Sequence, residues 1–74
     1  MKYYTLKEMR IKNRKTQKEV ADKIGITVTY LSLMETGKKN PSDSVKKKLA
    51  KEYKVQVFDI YKALEKQATT IWRD

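Results

Sequence analysis

The segment TQKEVADKIGITVTYLSLMETG, from Thr16 to Gly37, constrains this chain more than any other. Thr16 and Glu19 stand three apart ahead of an apolar run. At that spacing each side chain can satisfy an orphan backbone N–H of the other at the start of a helix. Val20, Ala21 and Ile24 then share one helical face. Gly25 follows where a helix commonly ends in a left-handed residue, a conformation that glycine reaches without a Cβ penalty. Ile26 points back inward, and Thr27 is placed to cap a second helix whose apolar face is Leu31 and Met34. Ala21 fits the same picture, because two helices crossing steeply at a short turn leave room for little more than a methyl group.

Small residue, glycine turn and flanking apolar positions together spell a helix-turn-helix. The charge of the chain suggests what that motif meets. Eighteen basic residues against nine acidic ones leave a net charge of +9 on 74 residues, which favours a polyanion. Charge alone describes any well-solvated surface; beside a motif with a known docking geometry it points to double-stranded DNA. A membrane partner is not expected, since no segment joins a basic face to a continuous aromatic and leucine face.

Composition excludes several chemistries. The chain has no cysteine and no histidine, so disulfides, thiolate or histidine metal sites, and Ser–His or Cys–His nucleophilic catalysis are absent. No phosphate loop or acid–base pair is visible, so neither an enzyme nor a cofactor, metal or small-molecule ligand is expected. No apolar run is long enough to span a membrane, and MKYYTLKEMR lacks the apolar core of a signal peptide. The expectation is a cytoplasmic protein of one domain, close to the lower size at which a core holds without staples.

The rest of the chain reads as further helices. Thr5 and Glu8 repeat the capping spacing and open a helix from about Leu6 to Asn13, with Leu6 and Met9 inward. Gly37 ends the recognition helix, and in KKNPS Pro41 keeps Asn40 from continuing it. Ser42 caps a fourth helix, with Asp43 against its positive end and Val45, Leu49, Ala50 and Tyr53 as its buried stripe. A fifth helix begins near Val57 and is expected to bury Val57, Ile60, Tyr61 and Leu64. VQVF could be a strand, but nothing else in the chain could pair with it. The fold is therefore expected to be all-α.

With these residues in view, the chain resembles the Cro and phage-repressor helix-turn-helix family of compact five-helix regulators. TQKEVADKIGI, YLSLMETGKKNPS and LAKEYKV carry the resemblance, which spans Leu6 to Leu64. It implies a domain over residues 1–64; residues 65–74 have no counterpart in the minimal family domain and are expected to form a short helical extension that packs on the domain or meets a subunit or partner. It also implies a repressor, bacterial or phage-encoded and nucleoid-associated, that binds a palindromic operator as a homodimer, weak in solution or formed on DNA. By position in the family motif, Val28, Thr29, Ser32 and Leu33 would face base edges in the major groove. Gln17, Thr27, Tyr30, Lys38, Lys39, Asn40 and Ser42 would lie along the phosphates. Arg10 and Glu35 match an ion pair that ties the first helix to the end of the recognition helix.

Several residues depart from that pattern. Leu33 stands where relatives carry a long polar side chain, and Gln56 replaces the usual Ser or Thr cap of the fifth helix. Lys46 falls where an aliphatic residue is usual, so it must snorkel or the fourth helix is slightly rotated. Phe58 replaces a polar residue and is a candidate dimer contact. Ile71 and Trp72 are either a tail folded on its own domain or a further subunit contact. The aromatic tail keeps a second function class open: a protein-interaction module such as an antirepressor or antitoxin subunit.

Overall fold

The computed structural model describes residues 3–72, with side chains as far as Gln67. These residues form α1 (Leu6–Lys12), α2 (Gln17–Ile24), α3 (Val28–Glu35), α4 (Asp43–Glu52) and α5 (Val57–Trp72), with no strand among them. The all-α expectation holds, and VQVF is the entry to α5.

Hydroxyl caps start four of the helices. Thr5 and Thr16 each accept the N–H of a glutamate three residues on, and each glutamate accepts the threonine's own N–H at 2.8 Å. Thr27 caps α3 by accepting the N–H of Tyr30 at 3.0 Å, and Ser42 caps α4 by accepting that of Val45 at 3.3 Å. At α5, where Gln56 has no hydroxyl to offer, Asp59 supplies the other half of the arrangement: its carboxylate accepts the Gln56 N–H at 2.9 Å.

The first four helices all end alike. A left-handed residue turns the chain so that the next N–H returns to a carbonyl five residues back. Lys15 N–H reaches Arg10 O, Ile26 reaches Ala21, Lys38 reaches Leu33 and Val55 reaches Ala50, at 2.9 to 3.2 Å. The left-handed residues are Arg14, Gly25, Gly37 and Lys54, with φ of 56°, 78°, 78° and 58°. Only two are glycine, so glycine marks only two of these ends in the sequence.

α2 packs against α3 and α4, while α5 packs against α4 and α1, enclosing one core. Leu6, Val20, Leu31, Met34, Leu49 and Ile60 are fully buried there, each contributing about 1.5–3 kcal/mol by leaving water. Ala21 is also fully buried, on α2, which packs against both α3 and α4.

The expected stripe of α5 needs correction. Ile60 is buried, Val57 and Leu64 are half-buried, but Tyr61 is 47% exposed. Its ring instead roofs Lys46, whose ammonium lies 4.4 Å from the ring centroid and 3.8 Å from Asp43 Oδ1. Lys46 is only 8% exposed: its stem is buried and its charge is delivered to the rim. The inward stripe runs through Ile60 and Ala63 to Gln67, and α5 continues without a break past Leu64.

Candidate nucleic-acid interface

α3 presents two faces. Leu31 and Met34 point into the core, whereas Val28 and Thr29 are exposed and Ser32 and Leu33 are half-buried beside them. These four side chains form the outer surface of a short helix. Tyr30 is half-buried and packs against the core, so its ring is partly committed to structure. Thr27 uses its oxygen as the α3 cap and keeps its O–H proton available to donate outward.

Beyond α3, the reversal at Gly37 brings out Lys38, Lys39 and Asn40, all exposed, before the buried Pro41. Ser42 follows at the start of α4, exposed and, like Thr27, capping with its oxygen while its proton remains available. Neither lysine forms an ion pair with another described residue, so both ammonium groups can meet an anion.

Beneath this surface lies a charged network. Arg10 donates to Glu35 through Nε at 2.7 Å and through Nη2 at 3.2 Å, a forked contact, and its Nη1 donates to Lys15 O at 3.0 Å. The Glu35 side chain is 3% exposed. Its Oε1 also accepts an amide N–H of Gln17 at 3.0 Å. The hydrogen bonds to Glu35 hold the Arg10 guanidinium above its ordinary pKa. Tyr53 lies close by, and burial first, then the Glu35 carboxylate, push its phenol up. Loop and bundle are further joined where Lys15 pairs with Glu52 at the end of α4.

A family profile described as Helix-turn-helix matches residues 6–60. The chain belongs to the helix-turn-helix family, of the Cro and phage-repressor type. A protein of Archaeoglobus fulgidus described as an uncharacterized HTH-type transcriptional regulator is 34% identical over 56 residues, covering 76% of this chain and 79% of the relative. No solved structure matches the chain.

Within the helix-turn-helix domain, the candidate residues fall into three groups. Val28, Thr29, Ser32 and Leu33 share the outer surface of α3; Lys38, Lys39, Asn40 and Ser42 follow it on the loop. Gln17, expected on the phosphates, joins the Arg10–Glu35 network and is half-buried, with one amide N–H directed to Glu35. Phe58 stands apart on α5, 54% exposed, with its ring 6.2 Å from that of Tyr3 and 5.5 Å from Lys62 Nζ. The backbones of Ile71 and Trp72 continue α5, but their side chains lie outside the described residues. No helix among the described residues is long and apolar enough to cross a membrane.

Sequence reasoning missed two connections, Gln17 to Glu35 and the buried Gln67. The second had a signal: Ile60, Ala63 and Gln67 continue one helical stripe at i, i+3, i+7.

Proposed function

We propose that this chain is a transcriptional regulator that binds double-stranded DNA sequence-specifically, acting as a repressor. In this reading α3 enters the major groove as a dimer assembles on a palindromic operator. The observation that carries the reading is the outer surface of α3, with its four side chains and the unpaired Lys38 and Lys39 on the loop that follows. A reading surface of mixed apolar and hydroxyl groups, next to free cations, suits base edges flanked by phosphates. The relative from Archaeoglobus fulgidus, described as an uncharacterized HTH-type transcriptional regulator, supports the same reading.

Phosphate contacts would come from Lys38, Lys39, Asn40, Ser42, Thr27, Tyr30 and the remaining amide N–H of Gln17. Dimerisation would use Phe58 on the outer flank of α5, with Ile71 and Trp72 enlarging the contact. A buried aromatic per subunit would give a weak dimer that forms fully on DNA.

Selection of bound sequences from a random duplex pool tests the proposal. The expected product is a palindrome whose half-site centres lie about one helical turn apart. Enrichment of no sequence would overturn it. That outcome would favour the protein-interaction reading, to which the exposed Phe58 and Tyr61 lend the one specific support.

A further inference from the structure

The family profile ends at residue 60, yet the inward stripe of α5 continues to Gln67. This amide is 4% exposed and is used at both its atoms. Its Oε1 accepts the N–H of Leu6, the first residue of α1, at 3.2 Å. Its Nε2 donates to the carbonyl of Met34, in the last turn of α3. The Leu6 N–H is among the backbone donors that a helix start leaves without an intrahelical partner, and the Met34 carbonyl, which already accepts the Gly37 N–H at 3.2 Å, takes the amide as a second donor.

One buried side chain thus ties the start of α1 to the end of the recognition helix. An apolar residue of similar size could fill the same space. What the amide adds is direction, because each bond is made at one relative placement of the three helices. The end of α3 is already held from α1 and α2 through Glu35; Gln67 adds the hold from α5. α3 is only eight residues long. A displacement at Met34 therefore reaches Leu33 and Ser32 in the same turn and Val28 and Thr29 at the far end.

We infer that Gln67 is a positioning residue for DNA reading: it sets the placement of α3 from outside the matched family segment. The C-terminal half of α5 is then part of the reading apparatus. This inference rests on the DNA-regulator reading above and gives the extension a role within its own subunit.

The test compares the full chain with Gln67→Glu and Gln67→Met on an operator selected by the parent and on a scrambled duplex of equal length. Measurements are made at a temperature where circular dichroism finds all three folded. Gln67→Glu keeps an acceptor for Leu6 but, when ionised, has no donor for Met34. Its operator-to-scrambled affinity ratio should fall about tenfold, as for loss of one hydrogen bond to a buried acceptor. Binding to the scrambled duplex, set by phosphate contacts, should change little. As pH falls the buried carboxyl takes up a proton and can donate again, so the ratio for Gln67→Glu should recover toward that of the parent. Gln67→Met should lose the ratio without any such recovery. A lowered melting temperature with an unchanged ratio in both variants would overturn the inference, as would an equal loss on both duplexes. If the parent selects no operator, the functional reading falls and takes this inference with it. If the parent selects one and the variants keep its ratio, only the positioning role falls.

Discussion

Gln17, the first residue of α2, donates its amide to Glu35, the last residue of α3, at 3.0 Å. The same carboxylate takes two bonds from Arg10 on α1. One acidic side chain therefore fixes three helices at the base of the outward-facing surface of α3.

Removing that carboxylate should be costly. Glu35→Ala leaves the half-buried Arg10 guanidinium without its counter-charge, and stability should fall by an amount at the lower end of about 3–5 kcal/mol. Gln17→Ala removes only a hydrogen bond to a charged group, about 1.5–3 kcal/mol at most. Urea unfolding measures both. A loss for Glu35→Ala no larger than that for Gln17→Ala would mean the network does not hold the helices together.

Two helix ends carry strain that glycine would relieve. Arg14 and Lys54 occupy left-handed conformations with φ of 56° and 58°, which disfavour side chains with a Cβ by about 1–2 kcal/mol. Arg14→Gly and Lys54→Gly should each raise stability by about 0.5–1 kcal/mol once the added freedom of the unfolded chain is subtracted. Thermal unfolding of the two single variants and the double variant checks this, with near-additivity expected for separated sites.

Acid should weaken the start of α2. Glu19 accepts the Thr16 N–H at 2.8 Å, and that bond is the first cause holding its carboxyl below the usual glutamate range. The unfolded chain therefore binds this proton more readily than the folded one. The stabilisation is complete above the ordinary glutamate value and is lost as pH falls through the lower folded value. An NMR titration should place the Glu19 midpoint below that of an unstructured glutamate, and Glu19→Gln should flatten this part of the acid limb. A midpoint at or above the unstructured value contradicts the assignment.

Salt dependence reports the loop lysines. Each phosphate neutralised on duplex DNA contributes about 0.9 to the slope of log affinity against log salt. Lys38→Ala should lower the slope by about that amount and weaken all duplexes alike. An unchanged slope removes Lys38 from the phosphate contacts.

Base reading by Val28 and Leu33 predicts a chemical signature. Neither side chain offers a hydrogen bond, but both can pack on the methyl group of thymine. Replacing the contacted thymine by uracil in a selected operator should weaken binding, and Val28→Ala should make the two operators more nearly equal. Half-sites of G·C pairs alone would sink the assignment.

What the sequence made legible was mostly local. The Thr5, Thr16, Thr27 and Ser42 caps, the turn at Gly25 and the inward positions of α2 and α3 all depend on neighbours a few residues away. The placements that eluded it are settled across the fold. Tyr61 has the spacing of a core residue, but the buried stem of Lys46 takes the space beneath it and the ring becomes a cover. Gln17 looks like a group awaiting a phosphate until Glu35, eighteen residues on, proves to be in reach. Gln67 falls on the stripe of Ile60 and Ala63, but both its partners are distant in sequence, so no short-range pattern announces the bonds it makes. On the outward surface, Val28 and Leu33 were separable from the core only because Leu31 and Met34 already fill the inward positions.

The turn at Gly25 carries one more consequence. A Cβ built there meets nothing within 4 Å, so the residue is held to glycine by its torsion of +78° and not by lack of room. Arg14 and Lys54, with φ of 56° and 58°, occupy the same left-handed region elsewhere in this chain without being glycine. Asparagine tolerates that region comparatively well. Relatives could therefore have lost the signature glycine while keeping the architecture, and a search that insists on it would pass them over. The sounder landmark for finding them is the small residue four positions earlier, Ala21, which is fully buried in the core.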